Sequence, residues 1–334
     1  MNSASMRASG GPQPDLTVIV PVFNEAGNVV RLFARLREVL DGLNIGYEIV
    51  CVDDGSSDTT VPEILAERNA DPRIKLVELS RNFGKELALT AGLRHSAGRA
   101  VIMIDADLQH PPELIPELLA KWREGWEMVI AVRRSRDTDS MTRRLYSRGF
   151  YWLFRLMSET KIRADAGDYR LLDRKVVDVL NAMPEHTRFM KGLYSWVGFR
   201  QTIVPFDPAP RLQGGSKFHL FKLWRLAVDG LTSFTSVPLQ MWTGLGFIAA
   251  AIGLGYGLYI IVKTLILGID VPGYASLMVA VLFFGGVQLL TLGIFGEYLG
   301  RVFTEVKNRP LYVVRDAHGI EQGAEEKVGP VPRV

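Results

Sequence analysis

Two long stretches of this chain, residues 230–262 and 271–296, carry no charged residue. A helix needs about 20 apolar residues to cross the hydrocarbon core of a bilayer, and each stretch is long enough. A single run of this kind reads equally well as a helix buried in a large core. Two in succession predict a hairpin of transmembrane helices at roughly 242–267 and 274–299. The link around Gly268 and Asp270 has no Lys or Arg. Lys217, Lys222 and Arg225 lie before the hairpin, and Arg301, Lys307 and Arg309 after it. The positive-inside rule then places both flanks in the cytoplasm, as a multi-pass protein of the cell (inner) membrane. Residues 218–235 form an expected amphipathic juxtamembrane helix: Phe221, Leu223, Trp224, Ala227, Val228 and Leu231 alternate with Lys222, Arg225 and Asp229. Such a helix suits the membrane interface.

The remaining sequence has a different rhythm. Short apolar runs at 16–22, 48–52, 74–79, 100–104 and 128–132 read as strands. Between them, 26–43, 59–68, 86–96 and 112–123 read as helices. The first has Val29, Leu32, Phe33, Leu36 and Leu40 on one stripe, and Asp58 is the expected N-cap of the second. Strands alternating with helices predict βαβ units: an α/β, Rossmann-like, mostly parallel sheet covered on both faces. Ligands of such sheets bind beyond the carboxyl ends of the strands. That is where the polar clusters fall: Asn24 and Glu25, then Asp53 and Asp54, then Ser80, Arg81 and Asn82, then Asp105 and Asp107. Further short strands are expected at 169–172 and 201–204, and a basic, aromatic helix at 141–157. Residues 311–314 are a candidate strand for pairing between subunits.

Charge excludes one class of function. The chain has 39 Lys+Arg against 36 Asp+Glu, a net +3, which is not the profile of a nucleic-acid binder. The single cysteine, Cys51, excludes a disulfide framework and a multi-cysteine metal site. Inside the apolar run 49–52 it reads as a small buried hydrophobe. Residues 1–14 lack the apolar core of a signal peptide and are expected to be a disordered lead.

Asp105-Ala106-Asp107 follows a buried strand, and alternate residues of an extended segment point the same way. Two carboxylates on one side suit a hard divalent cation, Mg²⁺ or Mn²⁺, that also takes phosphate oxygens. Gln109 shares their parity; His110 is a weaker ligand candidate. The turn from Asp53 to Asp58, and the turn from Pro21 to Glu25, serve either as plain strand-end turns or as a seat for a nucleotide. Asn82-Phe83-Gly84-Lys85 lacks the earlier glycine of a P-loop, which argues against an ATPase. Arg133, Arg143 and Ser147 are a candidate phosphate grip: Arg143 and Ser147 are one helical turn apart, and Arg133 ends a strand at the ligand edge. Arg211 and Lys217 lie in a second basic, glycine-rich segment, suited to a diphosphate or to anionic headgroups.

These motifs, in this order, resemble the family-2 glycosyltransferases that make polyprenyl-phosphate sugars, and among them the bacterial bactoprenol glucosyltransferases and the dolichol-phosphate mannose synthases. The resemblance rests on the segments 20–25, 52–58, 80–85 and 105–113, and extends to 166–170 and the two apolar stretches. It implies a GT-A catalytic domain over 15–217, a two-helix membrane hairpin over 236–300 and a cytoplasmic tail over 301–334. It implies a nucleotide-sugar donor at Pro21, Asn24, Glu25, Asp53, Asp54, Lys85, Gln109, Arg211 and Lys217, with the metal at Asp105 and Asp107. The lipid phosphate then falls to Arg133, Arg143 and Ser147. Asp165 and Asp168 both stand near a further catalytic carboxylate of some relatives, and Asp168 is preferred. The implied reaction is inverting transfer of a hexose, glucose from UDP-glucose first and mannose, galactose or formamido-arabinose next, to undecaprenyl phosphate. A homo-oligomer, tetramers included, is a further implication. A processive polysaccharide synthase would carry a Gln-x-x-Arg-Trp motif, and here only Trp224-Arg225 stands nearby, in the reverse order. A non-catalytic membrane scaffold would have no reason to keep a carboxylate at each expected turn.

Overall fold

A computed structural model describes residues 13–134, 166–183, 185, 188, 190–207, scattered positions between 246 and 266, and 273–320. Chain contacts divide it into two units: 1–149 with 162–218 and 310–334, and 150–161 with 219–309.

The first unit is built on one eight-stranded sheet. Its elements are β1 (Leu16–Val22), α1 (Asn28–Asp41), β2 (Tyr47–Asp53), α2 (Thr60–Ala70), β3 (Ile74–Leu79), α3 (Lys85–His95) and β4 (Ala100–Met103). A short 3₁₀ turn (Pro112–Leu114) leads into α4 (Ile115–Arg123) and β5 (Met128–Arg133). Then come β6 (Ala166–Asp173), α5 (Arg174–Ala182), α6 (Met190–Trp196), β7 (Gln201–Phe206) and, after the second unit, β8 (Val314–His318). The strand order is β7-β5-β6-β4-β1-β2-β3-β8. Only β6 and β8 run against their neighbours. The mostly parallel sheet expected from the alternating pattern is therefore present, with one antiparallel strand inserted in its middle.

Apolar periodicity explains how the sheet is covered. Val29, Leu32, Phe33, Leu36 and Leu40 form the buried stripe of α1. With Ile64 of α2 and Ile115, Leu118 and Leu119 of α4 they pack on one face of the sheet. On the other face Ala88 and Ala91 of α3 meet Val50, Val52, Val77 and Leu79. Because both faces are covered, β2 is buried along its whole length, the mark of a central parallel strand. Cys51 is fully buried there, and burial pushes its thiol pKa up. Element ends shift by a residue or two from the expected ones, for local reasons. The N-cap of α2 is Thr59 and not the expected Asp58, with no side-chain capping bond; one residue earlier, the Asp58 carboxylate accepts the Thr60 N–H at 3.0 Å. Proline at the start of the 112–123 segment yields a 3₁₀ turn before the α-helix proper.

One gap positions the site. Ile19 faces β4, where its carbonyl accepts the Ile104 N–H at 3.0 Å. Pro21, two residues on, faces the same side, but β4 has already ended at Met103. A residue with no N–H is tolerated where no ladder bond is required, and the sheet opens beside it.

Of the segment 311–314, considered above as a strand for pairing between subunits, only Val314 lies in a strand here. The strand begins at Val314 and pairs antiparallel with β3 of the same chain. The Val313 carbonyl accepts the Ser80 N–H at 2.9 Å, and Tyr312 is buried against the α3-side core. The His318 ring and the Glu78 carboxylate meet across the pair at 3.1 Å.

In the second unit the backbone from Tyr274 to Lys307 is one unbroken helix, α7, of 34 residues. Leu277, Val281, Phe283, Leu289, Leu292, Phe295, Val302 and Phe303 stand exposed along it. Side chains are described at only some positions of this unit, and among the described residues no helix is long and apolar enough to cross a membrane. The expected amphipathic segment 218–235, residues 1–12 of the expected lead 1–14 and the basic helix 141–157 lie outside the described residues; Gln13 and Pro14, the end of that lead, are not disordered but bonded to the Ala97 carbonyl and the Arg99 N–H.

Candidate active site at the carboxyl edge of the sheet

Because β1, β2, β3, β4 and β5 all run parallel, their carboxyl ends share one edge, and the polar turns collect there. β6 arrives from the opposite direction, so its first residues join the same edge. In its register with β4, Met103 pairs with Arg170. Continuing two residues sets Asp168 opposite Asp105.

The β2–α2 turn is held by its own carboxylates. Asp53 accepts the N–H groups of Gly55 and Ser56 at 3.2 and 3.1 Å. Asp54 accepts those of Phe83 and Gly84 at 2.7 and 2.9 Å, tying the β3–α3 loop to β2. Burial lifts the Asp54 pKa even so. Gly55 has φ +76°, and a Cβ there would stand 2.7 Å from the Arg81 carbonyl carbon; only glycine fits so close an approach. Asn24, itself at φ 55°, donates its N–H to Ser56 Oγ and accepts the Ser57 N–H. For Asp53, Asp54 and Asn24 the sequence leaves open a plain strand-end turn or a nucleotide seat, and the resemblance implies donor ligands. Here their polar atoms first of all build the walls of the site.

Inside those walls lies a charged cluster. The Lys85 ammonium is 2.6 Å from Asp105 Oδ1, 2.9 Å from Asp105 Oδ2 and 2.9 Å from Asp168 Oδ2. Burial opposes the ammonium charge, but these two carboxylates outweigh it and hold the Lys85 pKa up. Burial likewise opposes the Asp168 charge, and Lys85 and Lys191 outweigh it, holding that carboxyl at about 2. Next to Lys85, Glu86 is pushed up to about 7 by burial and by the Asp168 charge. It accepts the Met190 N–H at 3.2 Å. Burial also lifts Glu25, and the Asp107 and Asp105 carboxylates lift it further against an Asn28 hydrogen bond.

The loop after β4 is strained and packed from behind. Leu108 is buried with φ 60°, a sparsely populated conformation of the kind that clusters at functional sites. Asp107 accepts the Gln109 N–H at 3.1 Å. The Gln109 side chain accepts a hydrogen bond from Arg133 at 3.2 Å, so β5 does deliver its terminal arginine to this loop. His110 is buried, stacked on Tyr169 at 4.9 Å, and its Nδ1 accepts the Asp105 N–H at 3.3 Å. Burial lowers its pKa. The ring, bonded through Nδ1 to the loop backbone, supports the loop.

The structure therefore brings Glu25, Lys85, Asp105, Asp107, Gln109, Arg133 and Asp168 to one edge, with Pro21 beside the opening. Asp165, Arg143, Ser147, Arg211 and Lys217 lie outside the described residues. Glu86 and Lys191 escaped sequence reasoning. Glu86 follows the Gly84-Lys85 turn, where an acidic residue reads as an ordinary helix start. Lys191 belongs to a separate helix that no local pattern ties to the site. Asp105 and Asp107 offer only hard oxygens, the donor chemistry of a divalent cation; Glu25 feels both carboxylates, but among the described residues only Glu78, Asp316 and His318 bring three such side chains within reach of one ion.

A largely parallel sheet with paired carboxylates after its fourth strand is the GT-A arrangement of glycosyltransferases. Residues 17–180 match glycosyl transferase family 2, and residues 237–302 match the GtrB C-terminal hairpin. An uncharacterized glycosyltransferase of Synechocystis sp. is 54% identical over 94% of this chain and 99% of its own length. The bactoprenol glucosyl transferase of Shigella phage SfII is 45% identical over 91% of this chain and 98% of its own. A prophage bactoprenol glucosyl transferase homolog of Escherichia coli is 43% identical over 90% and 98%. The chain belongs to glycosyl transferase family 2, in the branch that carries the GtrB hairpin, and is a transferase.

Proposed function

We propose that the protein transfers a hexose from a nucleotide sugar to polyprenyl phosphate at the cytoplasmic face of the cell membrane, with UDP-glucose and undecaprenyl phosphate as the first-choice pair. The observation that carries this reading is the joining of two functions at one sheet edge. The carboxylates Asp105 and Asp107 suit a cation-bound diphosphate, and Arg133 stands 3.2 Å from the side chain of Gln109, whose N–H bonds Asp107. Relatives named for bactoprenol glucosyl transfer support the acceptor and the sugar. The hairpin match and the exposed apolar side chains of α7 support a membrane seat, since large exposed apolar surface marks contact with lipid or protein.

In this reading the lipid phosphate oxygen attacks the anomeric carbon. The bond to the nucleoside diphosphate breaks, and the centre inverts. A phosphate monoester has a second pKa near 6, so it attacks as an anion and requires no strong base. The work left to the protein is alignment and charge neutralisation. Arg133, with Arg143 and Ser147, would orient the acceptor; Asp53, Asp54 and Asn24 would hold the donor turns in place. Mg²⁺ or Mn²⁺ at Asp105 and Asp107 would neutralise the departing diphosphate. Arg211 and Lys217 would meet the donor diphosphate from the segment before the membrane.

Purified protein supplied with undecaprenyl phosphate and a panel of UDP- and GDP-sugars, with mass detection of the lipid product, tests the proposal. The expected product is undecaprenyl-phosphate glucose, lost on adding EDTA and in Asp107→Ala. A mannosyl, galactosyl or formamido-arabinosyl lipid would replace the donor assignment. No lipid product from any donor would point to a scaffold and overturn the proposal, and full activity in EDTA would remove the metal from it.

A further inference from the structure

Lys85 sits on the carboxylate that the proposed metal needs. Both oxygens of Asp105 lie within hydrogen-bonding reach of its ammonium, at 2.6 and 2.9 Å. A divalent cation cannot take either oxygen without facing that ammonium across it, and like charges at such range repel. Position adds a second observation. Lys85 is the first residue of α3, where the helix dipole disfavours a cation. The flanking carboxylates, and not the helix, keep it there. A third observation is the state of Asp168. Its Oδ2 already accepts from Lys85 at 2.9 Å, while its Oδ1 is buried and has no hydrogen-bond partner among the described residues. Buried polar atoms are rarely left so. An ammonium has three donors, and a short swing off Asp105 would bring one to that free oxygen.

We infer that Lys85 is an internal counter-ion for the metal site, held on Asp105 when no divalent cation is bound and handed to Asp168 when one binds. Asp168 is then a positioning residue that acts on Asp105 through Lys85. The ammonium would remain beside the site, next to the departing diphosphate. This deepens the proposed function and rests on its metal assignment.

Binding of Mn²⁺ to the full-length protein, read as loss of the free-ion electron paramagnetic resonance signal, tests the hand-over without any turnover. Asp168→Asn removes the charge that receives Lys85, so Mn²⁺ affinity weakens roughly tenfold, within the usual range of coupling between sites. Lys85→Met removes the competitor, so affinity is kept or tightened. The Lys85→Met/Asp168→Asn double variant recovers the affinity lost in Asp168→Asn. Circular dichroism of each variant guards against misfolding, and the recovery in the double variant cannot come from a damaged fold. Weaker binding in Lys85→Met, unchanged binding in Asp168→Asn, or no recovery in the double variant would overturn the hand-over alone. A wild-type protein that binds no Mn²⁺ would overturn the metal assignment and the hand-over together.

Discussion

Glu86 shows how burial and a neighbouring charge turn one carboxyl into a pH-sensitive element. Its pKa rises from an ordinary 4.5 to about 7. Between those values the folded chain holds a proton that the unfolded chain has released, so stability falls as pH rises through that window. Asp168 has the opposite sign: lowered to about 2 from 3.8, it adds stability that is lost only as pH falls through that lower range. Glu86→Gln is expected to leave the melting temperature near that of the wild type at about pH 5 and above it at about pH 8. A gap independent of pH, read by thermal unfolding at both values, would refute the assignment. Arg143 carries a second residue-scale prediction. Arg143→Ala should raise the apparent KM for lipid phosphate by about tenfold or more, the loss of one charge-assisted hydrogen bond, and leave the donor KM nearly unchanged. The reverse pattern in steady-state kinetics would move Arg143 to the donor side. At this scale the sequence was informative about residue type and position. Asp105, Asp107, Glu25 and Gln109 could be picked out because polar residues collect where a buried strand ends, although the alternation expected of Asp105 and Asp107 does not hold: β4 stops at Met103 and residues 106–107 turn. It was silent on Lys85 as a bridge between Asp105 and Asp168, because that contact depends on the register of an antiparallel strand sixty-odd positions later, which no local pattern encodes.

Among the elements, the turn between β2 and α2 has little freedom. Gly55 combines φ +76° with a backbone neighbour where its Cβ would stand, and backbone cannot yield as a flexible side chain can. Gly55→Ala should cost about 2–4 kcal/mol, from left-handed strain and overpacking together. It should also displace the Arg81–Asn82 loop and with it the Gly84-Lys85 start of α3. Chemical denaturation gives the first quantity, and a parallel fall in Mn²⁺ affinity would report the second. Unchanged stability would show that the loop moves aside at no cost. Strands and helices were legible here because each βα unit announces itself twice, by an apolar run and by a stripe such as Val29 to Leu40. β8 begins later than the expected 311–314 for a physical reason. The run at 311–314 is the more apolar piece, yet Tyr312 uses that character to fill the core beside α3. The polar residues that follow pair with β3, where an edge strand needs only one buried face.

For the whole molecule, the α/β unit and the hairpin-matching region are separate in sequence pattern and in chain contacts. The alternating pattern ends before the uncharged stretches begin, so the division could be read from composition alone. The topology of the sheet could not, because β6 enters between β4 and β5 and brings Asp168 with it.

The closure of the sheet by β8 has a consequence for the bilayer. β7 precedes the hairpin-matching region and β8 follows it, yet both belong to the same sheet. Whatever path the chain takes between Phe206 and Val314, it must come back to the compartment it left, so its passages through a membrane are even in number. One crossing is forbidden by hydrogen bonds alone, with no appeal to the distribution of positive charge. Tags placed before residue 13 and after residue 320 should therefore share one side in protease-protection experiments on oriented vesicles. If they were found on opposite sides, β8 could not be paired with β3 in the membrane-bound protein.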